Sequence, residues 1–307
     1  MKVTAAVRER ILELDRRYRS TWDAHAIAHV VGLGHTTVAK ILREFRGPRP
    51  KRAKQPHTRR TKFLRRDVMW SSDFVDLLWG WKLIRTNDEM AGYRLGWDLC
   101  RSETADAAVR HARSIVERMG RAPLIWKYDH GSAFTSDVFQ DFLRELRIVC
   151  YPTQRWAPWT NGRTERDHQD IHTWLIALEG KPEPPLLEIE RDIDEGMLTF
   201  NFIKPRASLG FRKSAQVYFS PEAALYADEA MRGRLAADIC HEALQLGAAD
   251  TSDRSHDGRR AKERLHRKSV RRALQRLGLY EEWDVAAKQW PSEAEVVNRT
   301  SAENVSI

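Results

Sequence analysis

The sequence predicts a mixed α/β core held between two basic, mainly helical ends, and three observations predict it. Strand-like and helix-like runs alternate between residues 68 and 178, apolar residues recur at helical spacing over residues 1–45, and positive charge is concentrated in two short segments flanking the middle. The chain has 307 residues, 42% of them hydrophobic and 11 of them tryptophan, enough for one large or two to three small domains. Its formal net charge is +9, unevenly placed: residues 46–66 carry +10 with no acid, residues 254–276 carry +8, and the remainder carries −9. Clustered charge of this sign points to a polyanionic partner. Three cysteines with no Cys-x-x-Cys pair exclude a disulfide framework and a cysteine zinc site, and suit a reducing compartment. No apolar run reaches eighteen residues and no long apolar stretch stands at the start, so the expectation is a cytoplasmic protein with no membrane partner.

Residues 1–45 read as a helix-turn-helix domain. Val7, Ile11 and Leu14 form one apolar stripe. In the stretch from Ala24 to Arg43, Ala28 is small enough for two helices to cross closely, Gly32 permits a left-handed turn, and Val38 and Ile41 anchor the second helix. That leaves His35, Thr36, Thr37, Lys40 and Arg43 toward solvent, a face suited to the major groove of DNA. Residues 46–66 then read as an extended basic linker, broken by Pro48, Pro50 and Pro56, that would not pack into a core. Its cations, among them Arg46, Arg49, Lys51, Arg52, Arg59 and Arg60, suit phosphate tracking by counterion release, although a solvated hinge has the same composition.

The middle domain is expected over residues 67–220. Val68 to Leu78, Trp81 to Thr86 and Tyr93 to Leu99 read as strands, with Asn87-Asp88-Glu89 and Ala91-Gly92 as turns. Glu103 to Met119 has helical spacing, Pro123 to Tyr128 is a short buried-strand run, and Thr135 or Ser136 caps a helix whose apolar face is Val138, Phe139, Phe142, Leu143 and Leu146. Arg147 to Tyr151 is another strand, and a helix opens at Asn161-Gly162 and runs to Leu178. This order, three strands and then alternating crossovers, is the one expected of an RNase H-like core.

Three acids fall at informative places. Asp73 lies in the first strand, Asp129 ends the fourth beside His130-Gly131-Ser132, and Glu165 follows Asn161-Gly162-Arg163-Thr164, with 35 residues between the last two acids. A carboxylate at a sharp strand end, and another one turn into a helix, can face one cleft. Asp76, three residues after Asp73, competes as the first acid. Glu165, His168 and His172 share a helical face and are a weaker zinc candidate, with no cysteine or third histidine close in sequence. Trp156 and Trp159 flank Pro158 and either stack on nucleic acid or pack the loop; Arg163, Arg166 and Gln169 suit DNA contact or plain surface charge.

Four blocks stand in order: Trp70-x-x-Asp73; Asp129-x-Gly131-Ser132-x-Phe134; Pro158-x-x-Asn161-Gly162-x-x-Glu165-Arg166; and Asn201-Phe202-Ile203-Lys204-Pro205-Arg206-x-Ser208-Leu209-Gly210. Together the stretch from about Trp70 to Gly210 resembles the catalytic core of retroviral-type integrases and of the DDE transposases of bacterial insertion sequences. It departs from that pattern at Lys204 (an arginine in the family), Arg206 (a histidine) and Ala215 (a proline). The resemblance implies an RNase H-like integrase catalytic core, a mixed five-stranded sheet flanked by helices, in a bacterial or phage protein. It also implies a DDE-type polynucleotidyl transferase that cleaves phosphodiesters at element ends and joins them to target DNA. On it, Asp73, Asp129 and Glu165 are the catalytic residues and metal ligands for two Mg²⁺ ions, with Mn²⁺ able to substitute; Asp73 bridges both ions, and Asp129 and Glu165 hold one each. Trp159 and Arg166 join the DNA contacts, and the working form is a homo-oligomer on DNA. An ATPase partner is left unspecified. The alternatives are a non-catalytic DNA-binding regulator or assembly factor derived from a transposase, and a nuclease of the same fold.

Residues 221–307 are expected to be a helical basic region. Pro221 to Leu246 is helix-like; Arg259 to Leu277 is a basic helix with Ala261, Leu265, Ala273 and Leu277 on its apolar side and Gly278 as terminator. Residues 254–307 read as a tail removable without unfolding the core.

Overall fold

The computed structural model describes residues 3–47, 59–154, 170–175, 179–247 and 256–284. Three helices come first: α1 (Ala5–Arg17), α2 (Ala24–Val31) and α3 (His35–Arg46). Thr4 and Asp23 cap α1 and α2 by accepting hydrogen bonds from the Val7 and Ala26 amides, and Gly32 ends α2 at φ 68°. Ile11, Leu14, Ile27, Ala28, Val38 and Ile41 bury the shared core that their spacing predicts.

The middle holds a five-stranded sheet of β2 (Met69–Asp76), β3 (Lys82–Asp88), β4 (Arg94–Cys100), β5 (Ile125–Tyr128) and β6 (Val149–Pro152), in the order β4-β3-β2-β5-β6. β2, β3 and β4 pair antiparallel; β5 lies parallel to β2, and β6 parallel to β5. The crossover into β5 is α4 (Ala105–Met119), and α5 (Ser132–Thr135) and α6 (Asp137–Glu145) lead into β6. Of the two expected caps, Ser136 begins α6 by accepting from the Phe139 amide.

Strand alternation assigns the two faces. On one, Trp70 and Phe74 of β2 and Trp126 and Tyr128 of β5 bury against Ile115, Phe134, Phe139 and Phe142. On the other, Met69 and Ile125 pack at the starting ends of β2 and β5 against Leu235, Val270, Ala273 and Leu274; Val75, farther along β2, packs against Ile171, Trp174, Ile189 and Ile193. These second-face partners come from the helical residues 170–175, α7 (Leu186–Leu198), α9 (Glu229–Gln245) and α10 (His256–Arg276); the short α8 (Ser214–Tyr218) lies between α7 and α9. The second face is thus covered at both ends and carries Asp73 between them.

Three expectations change. Part of the basic linker is ordered: Arg59–Phe63 forms β1, paired antiparallel with β7 (Tyr280–Asp284), and Phe63 is buried with Tyr280. The carboxy-terminal region therefore holds a strand as well as helices, and α10 is no removable tail, because its apolar residues cover Met69, Leu124 and Ile125. Asn87 and Asp88 end β3 instead of lying in a turn, and Asp88 is fully buried because its carboxylate accepts from the Asp67, Met90 and Ala91 amides. Gly278 does follow α10 with a positive φ of 66°. The proline-rich residues 48–58 lie outside the described residues. Among the described residues no helix is long and apolar enough to cross a membrane.

The amino-terminal helices dock on the second-face helices. Arg19 donates to the Trp174 carbonyl at 3.0 Å, pairs with Asp192 at 3.3 Å and lies 4.6 Å over the Trp174 ring. Buried Lys204 donates to the Thr21 carbonyl at 2.6 Å and pairs with Asp170 at 3.3 Å. Burial lowers the Lys204 pKa, while Asp170 opposes that shift.

Candidate active site

The register of the parallel pair places the two described acids of the sequence motif. β2 and β5 align Met69 with Ile125, Trp70 with Trp126 and Ser71 with Lys127. Two residues on from Ser71 stands Asp73 within β2, and two residues on from Lys127 stands Asp129, directly after the last residue of β5. Asp73 lies on the second face, since it alternates with Trp70 and Phe74 on the first, and Asp129 follows Tyr128 at the end of β5. Both are partly exposed. Asp76 is on the opposite side of β2 from Asp73, 81% exposed and paired with Lys82, so it does not share the position.

The environment of Asp129 is built by the turn after β5. The Gly131 amide donates to Asp129 Oδ1 at 2.9 Å, and a Cβ at residue 131 would stand 3.0 Å from that oxygen, so glycine lets the carboxylate fold over its own turn. Burial pushes the Asp129 carboxyl above the usual carboxylate range; the Gly131 hydrogen bond opposes this, and the negative charge of Asp73 adds to it. The repulsion is a second sign that the two carboxylates share a site. A hard divalent cation between them would relieve it, and oxygen-only donors suit Mg²⁺. Among the described residues no group of three or more His, Cys, Asp or Glu side chains converges to hold a metal ion, and Glu165 lies outside them. His168, Trp156, Trp159, Arg163, Arg166 and Gln169 lie outside them too, while His172 is exposed.

Two neighbours that the sequence reading missed, Arg85 and Lys127, stand near the acids together with His130. Arg85 of β3 pairs across from Asp73 and is only 1% exposed. An arginine amid the apolar run of β3 is the signal that could have drawn attention to it. Lys127, two residues before Asp129, forms a buried pair with Glu89 at 3.0 Å. His130 is within 2.7 Å of the Thr153 carbonyl and 3.8 Å from Glu263 of α10. Behind the acids, on the first face, the Trp126 indole donates to Ser72 Oγ at 2.8 Å, Ser72 and Thr86 hydroxyls meet at 2.6 Å, and Thr86 meets His111 Nε2 at 2.8 Å. His111 Nδ1 reaches Asp98 at 2.5 Å, and burial lowers the His111 pKa, which favours the neutral ring. The chain of polar groups ties β2, β3, β4, β5 and α4 together one residue from Asp73.

The expected groove-facing residues of α3, namely His35, Thr36, Thr37, Lys40 and Arg43, are all exposed. Arg46 differs: its side chain is 12% exposed and its guanidinium is committed to Asp15 and the Trp22 carbonyl, because a fully buried aspartate needs a cationic partner. Arg60 is exposed on β1; Arg49, Lys51 and Arg52 lie outside the described residues, as does the side chain of Arg59.

Residues 64–158 match the family model described as integrase core domain. A 101-residue stretch, 33% of the chain, is 28% identical to the Pol-related polyprotein of the mouse intracisternal A-particle MIA14, and spans 12% of that polyprotein's length. Solved structures similar to this chain include a simian T-cell lymphotropic virus intasome in complex with PP2A regulatory subunit B56 gamma, at 19% identity, TM-score 0.48, covering 71% of this chain and 77% of that one. Another is the HTLV-2 integrase catalytic core domain in complex with magnesium, at 19% identity, TM-score 0.40, covering 52% and 100%. A third is the catalytic core domain of BIV integrase, at 19% identity, TM-score 0.41, covering 50% and 93%. The segment that matches the integrase core domain model runs from before β2 to beyond β6 and so takes in the whole mixed five-stranded sheet.

Proposed function

We propose that this chain is a DNA transposase or integrase, which cuts phosphodiesters at element ends and transfers the freed strand to target DNA. The observation that carries the reading is the pair Asp73 of β2 and Asp129, which directly follows the neighbouring parallel strand β5, close enough that the charge of Asp73 raises the Asp129 pKa. Glu165 is assigned as the third acid from the sequence. Supporting it, the helical residues 170–175, which begin five positions later, pack on Val75, two residues from Asp73 on the same face.

The carboxylates bind and orient. Asp73 and Asp129 present oxygens to a hard cation, and the Gly131 amide fixes one oxygen of Asp129 so that the other is free to turn toward it. Bound Mg²⁺ ions supply an activated attacking oxygen and a stabilised leaving oxygen for in-line displacement. Since the acids must be ionised to bind metal, the raised Asp129 pKa sets a pH below which protons compete. The blocks at either end of the second face leave the scissile phosphate a seat between them.

Residues 1–45 act as the helix-turn-helix domain that recognises element ends through His35, Thr36, Thr37, Lys40 and Arg43. Residues 46–66 track phosphates, with Arg46 reserved for Asp15. Residues 67–220 catalyse, and residues 221–307 form a region built onto that core. Two ends joined to one target, with one acid cluster per chain, require at least a dimer on DNA. The test is incubation of the full chain with a labelled duplex bearing a candidate end, with Mg²⁺ or with chelator. A nicked strand with a free 3′-hydroxyl, followed by joined product, is expected only with metal; identical DNA in both tubes would refute the reading.

A further inference from the structure

The carboxy-terminal helix packs on the sheet by one side, pairs with α9 through Arg272 and Arg276 on another, and leaves a third side exposed. Val270, Ala273 and Leu274 face the sheet, and His266 and Arg267 reach the carbonyls of Cys150 and Thr153 at 2.7 and 3.3 Å. Contacts at residues 270–274 lie at the starting end of β2 and β5, whereas those at residues 263–267 lie at the finishing end of β5 and β6. α10 therefore runs against the direction of β5, and its first half comes alongside the turn that carries Asp129.

Arg260, Arg264 and Lys268 stand on that first half at i, i+4 and i+8, one row on the helix surface, and all three are exposed. Among the described residues none of them is engaged in an ion pair. The two acids of the helix leave the row largely unneutralised: Asp257 sits in the first turn, and Glu263 is turned inward to His130 and Arg267. Three residues beyond Lys268, Arg271 meets Glu282 of β7 at 4.0 Å, so the row borders the β1–β7 ribbon, whose Arg60 and Lys62 are also exposed. The fold thus holds a line of cations about 12 Å long beside a pair of mutually repelling carboxylates. Among the described residues nothing in the packing needs those cations.

We propose that Arg260, Arg264 and Lys268 of α10 are a binding rail for the phosphodiester backbone of duplex DNA, holding the strand beside the carboxylate pair. The spacing fits the ligand: a rise of about 6 Å per i, i+4 step approximates the separation of successive phosphates on one strand, which repeat every 3.4 Å along the duplex axis but farther apart along the backbone. The proposal rests on Asp73 and Asp129 being a DNA-processing site, and the duplex is either the element end or the target.

The test compares the full chain with the triple variant Arg260→Gln/Arg264→Gln/Lys268→Gln. A control removes the same charge from the other side of the sheet, as Arg110→Gln/Arg113→Gln/Arg144→Gln. Binding to a non-cognate duplex is measured without metal across salt concentrations, so that it does not depend on catalysis. The rail variant is expected to show a salt slope shallower by about 2–3, and affinity lower by roughly ten-fold or more, since each neutralised phosphate contributes about 0.9 to the slope; the control should keep the wild-type slope. Circular dichroism melting shows that both variants remain folded. Cleavage of an end duplex alone, and joining of a pre-cleaved end to a plasmid, then separate the sources: loss of both assigns the rail to the end, and loss of joining alone assigns it to the target. A slope unchanged in the rail variant, or shifted equally in the control, overturns the proposal. So does rail-dependent binding to phosphatidylserine vesicles with no change toward DNA. If no protein cleaves, the catalytic reading fails while the metal-free slopes still decide the rail.

Discussion

Asp88 is the residue whose chemistry the sequence conceals most completely. It sits in a string, Asn-Asp-Glu, that reads as a solvated turn, yet it is fully buried and its carboxylate fastens three backbone amides. Burial raises its pKa to about 7 from 3.8. Between those values the folded state holds a proton that the unfolded state has released, so the stability contribution falls as pH climbs from about 4 to 7 and is level above that. Asp88→Asn is neutral throughout and loses one accepted bond at every pH. The melting temperature of the wild type should therefore exceed that of the variant by more at pH 5 than at pH 8; a constant difference would show that Asp88 does not titrate in this range. The proposed acids Asp73 and Asp129 stand out in the sequence because each sits in a short motif of its own neighbours. Arg85, Lys127 and Asp88 do not, because what gives them meaning is a partner on another strand or across a turn.

Among the elements, β2 is the one that must be held still, and the Trp126–Ser72–Thr86–His111–Asp98 chain holds it from behind. Thr86→Val keeps the shape and removes the hydroxyl in the middle, leaving His111 Nε2 and Ser72 Oγ each short of a partner in a buried place. Orphaned groups of this kind cost about 1–3 kcal/mol, which urea unfolding would register; an unchanged midpoint would mean that the chain carries no stability. Strands and helices of the sheet were readable from period and turn residues, since each runs to completion within a few residues of its own signals. β1 and β7 were not. β1 is a run of cations with one apolar residue, Phe63, and its partner lies more than two hundred residues away, so nothing local distinguishes it from a solvated strap.

At the scale of the whole molecule, the chain closes on itself. The amino-terminal helices rest on residues 170–175 and α7 through Arg19 and Lys204, and the carboxy-terminal helix rests on β2, β5 and β6. The charge arithmetic suggested a tail; the apolar residues on its inner side make it part of the core. Removal of residues 256–307 should accordingly leave an aggregating or partly unfolded protein, read by gel filtration and melting, whereas a monodisperse, cooperatively melting truncation would contradict the packing. α10 thus lies on the face that carries Asp73, and the amino-terminal helices rest on the helices that cover it, which is what the proposed handling of DNA ends requires. The central claim is that these two aspartates with Glu165 form one metal-dependent site. Its most direct measurement is strand transfer of a labelled pre-cleaved end into plasmid DNA with Mg²⁺, run for the wild type and for Asp73→Asn, Asp129→Asn and Glu165→Gln. The account predicts joined product from the wild type alone, with all four proteins binding the end duplex nearly equally; near-wild-type joining by any of the three variants would contradict it.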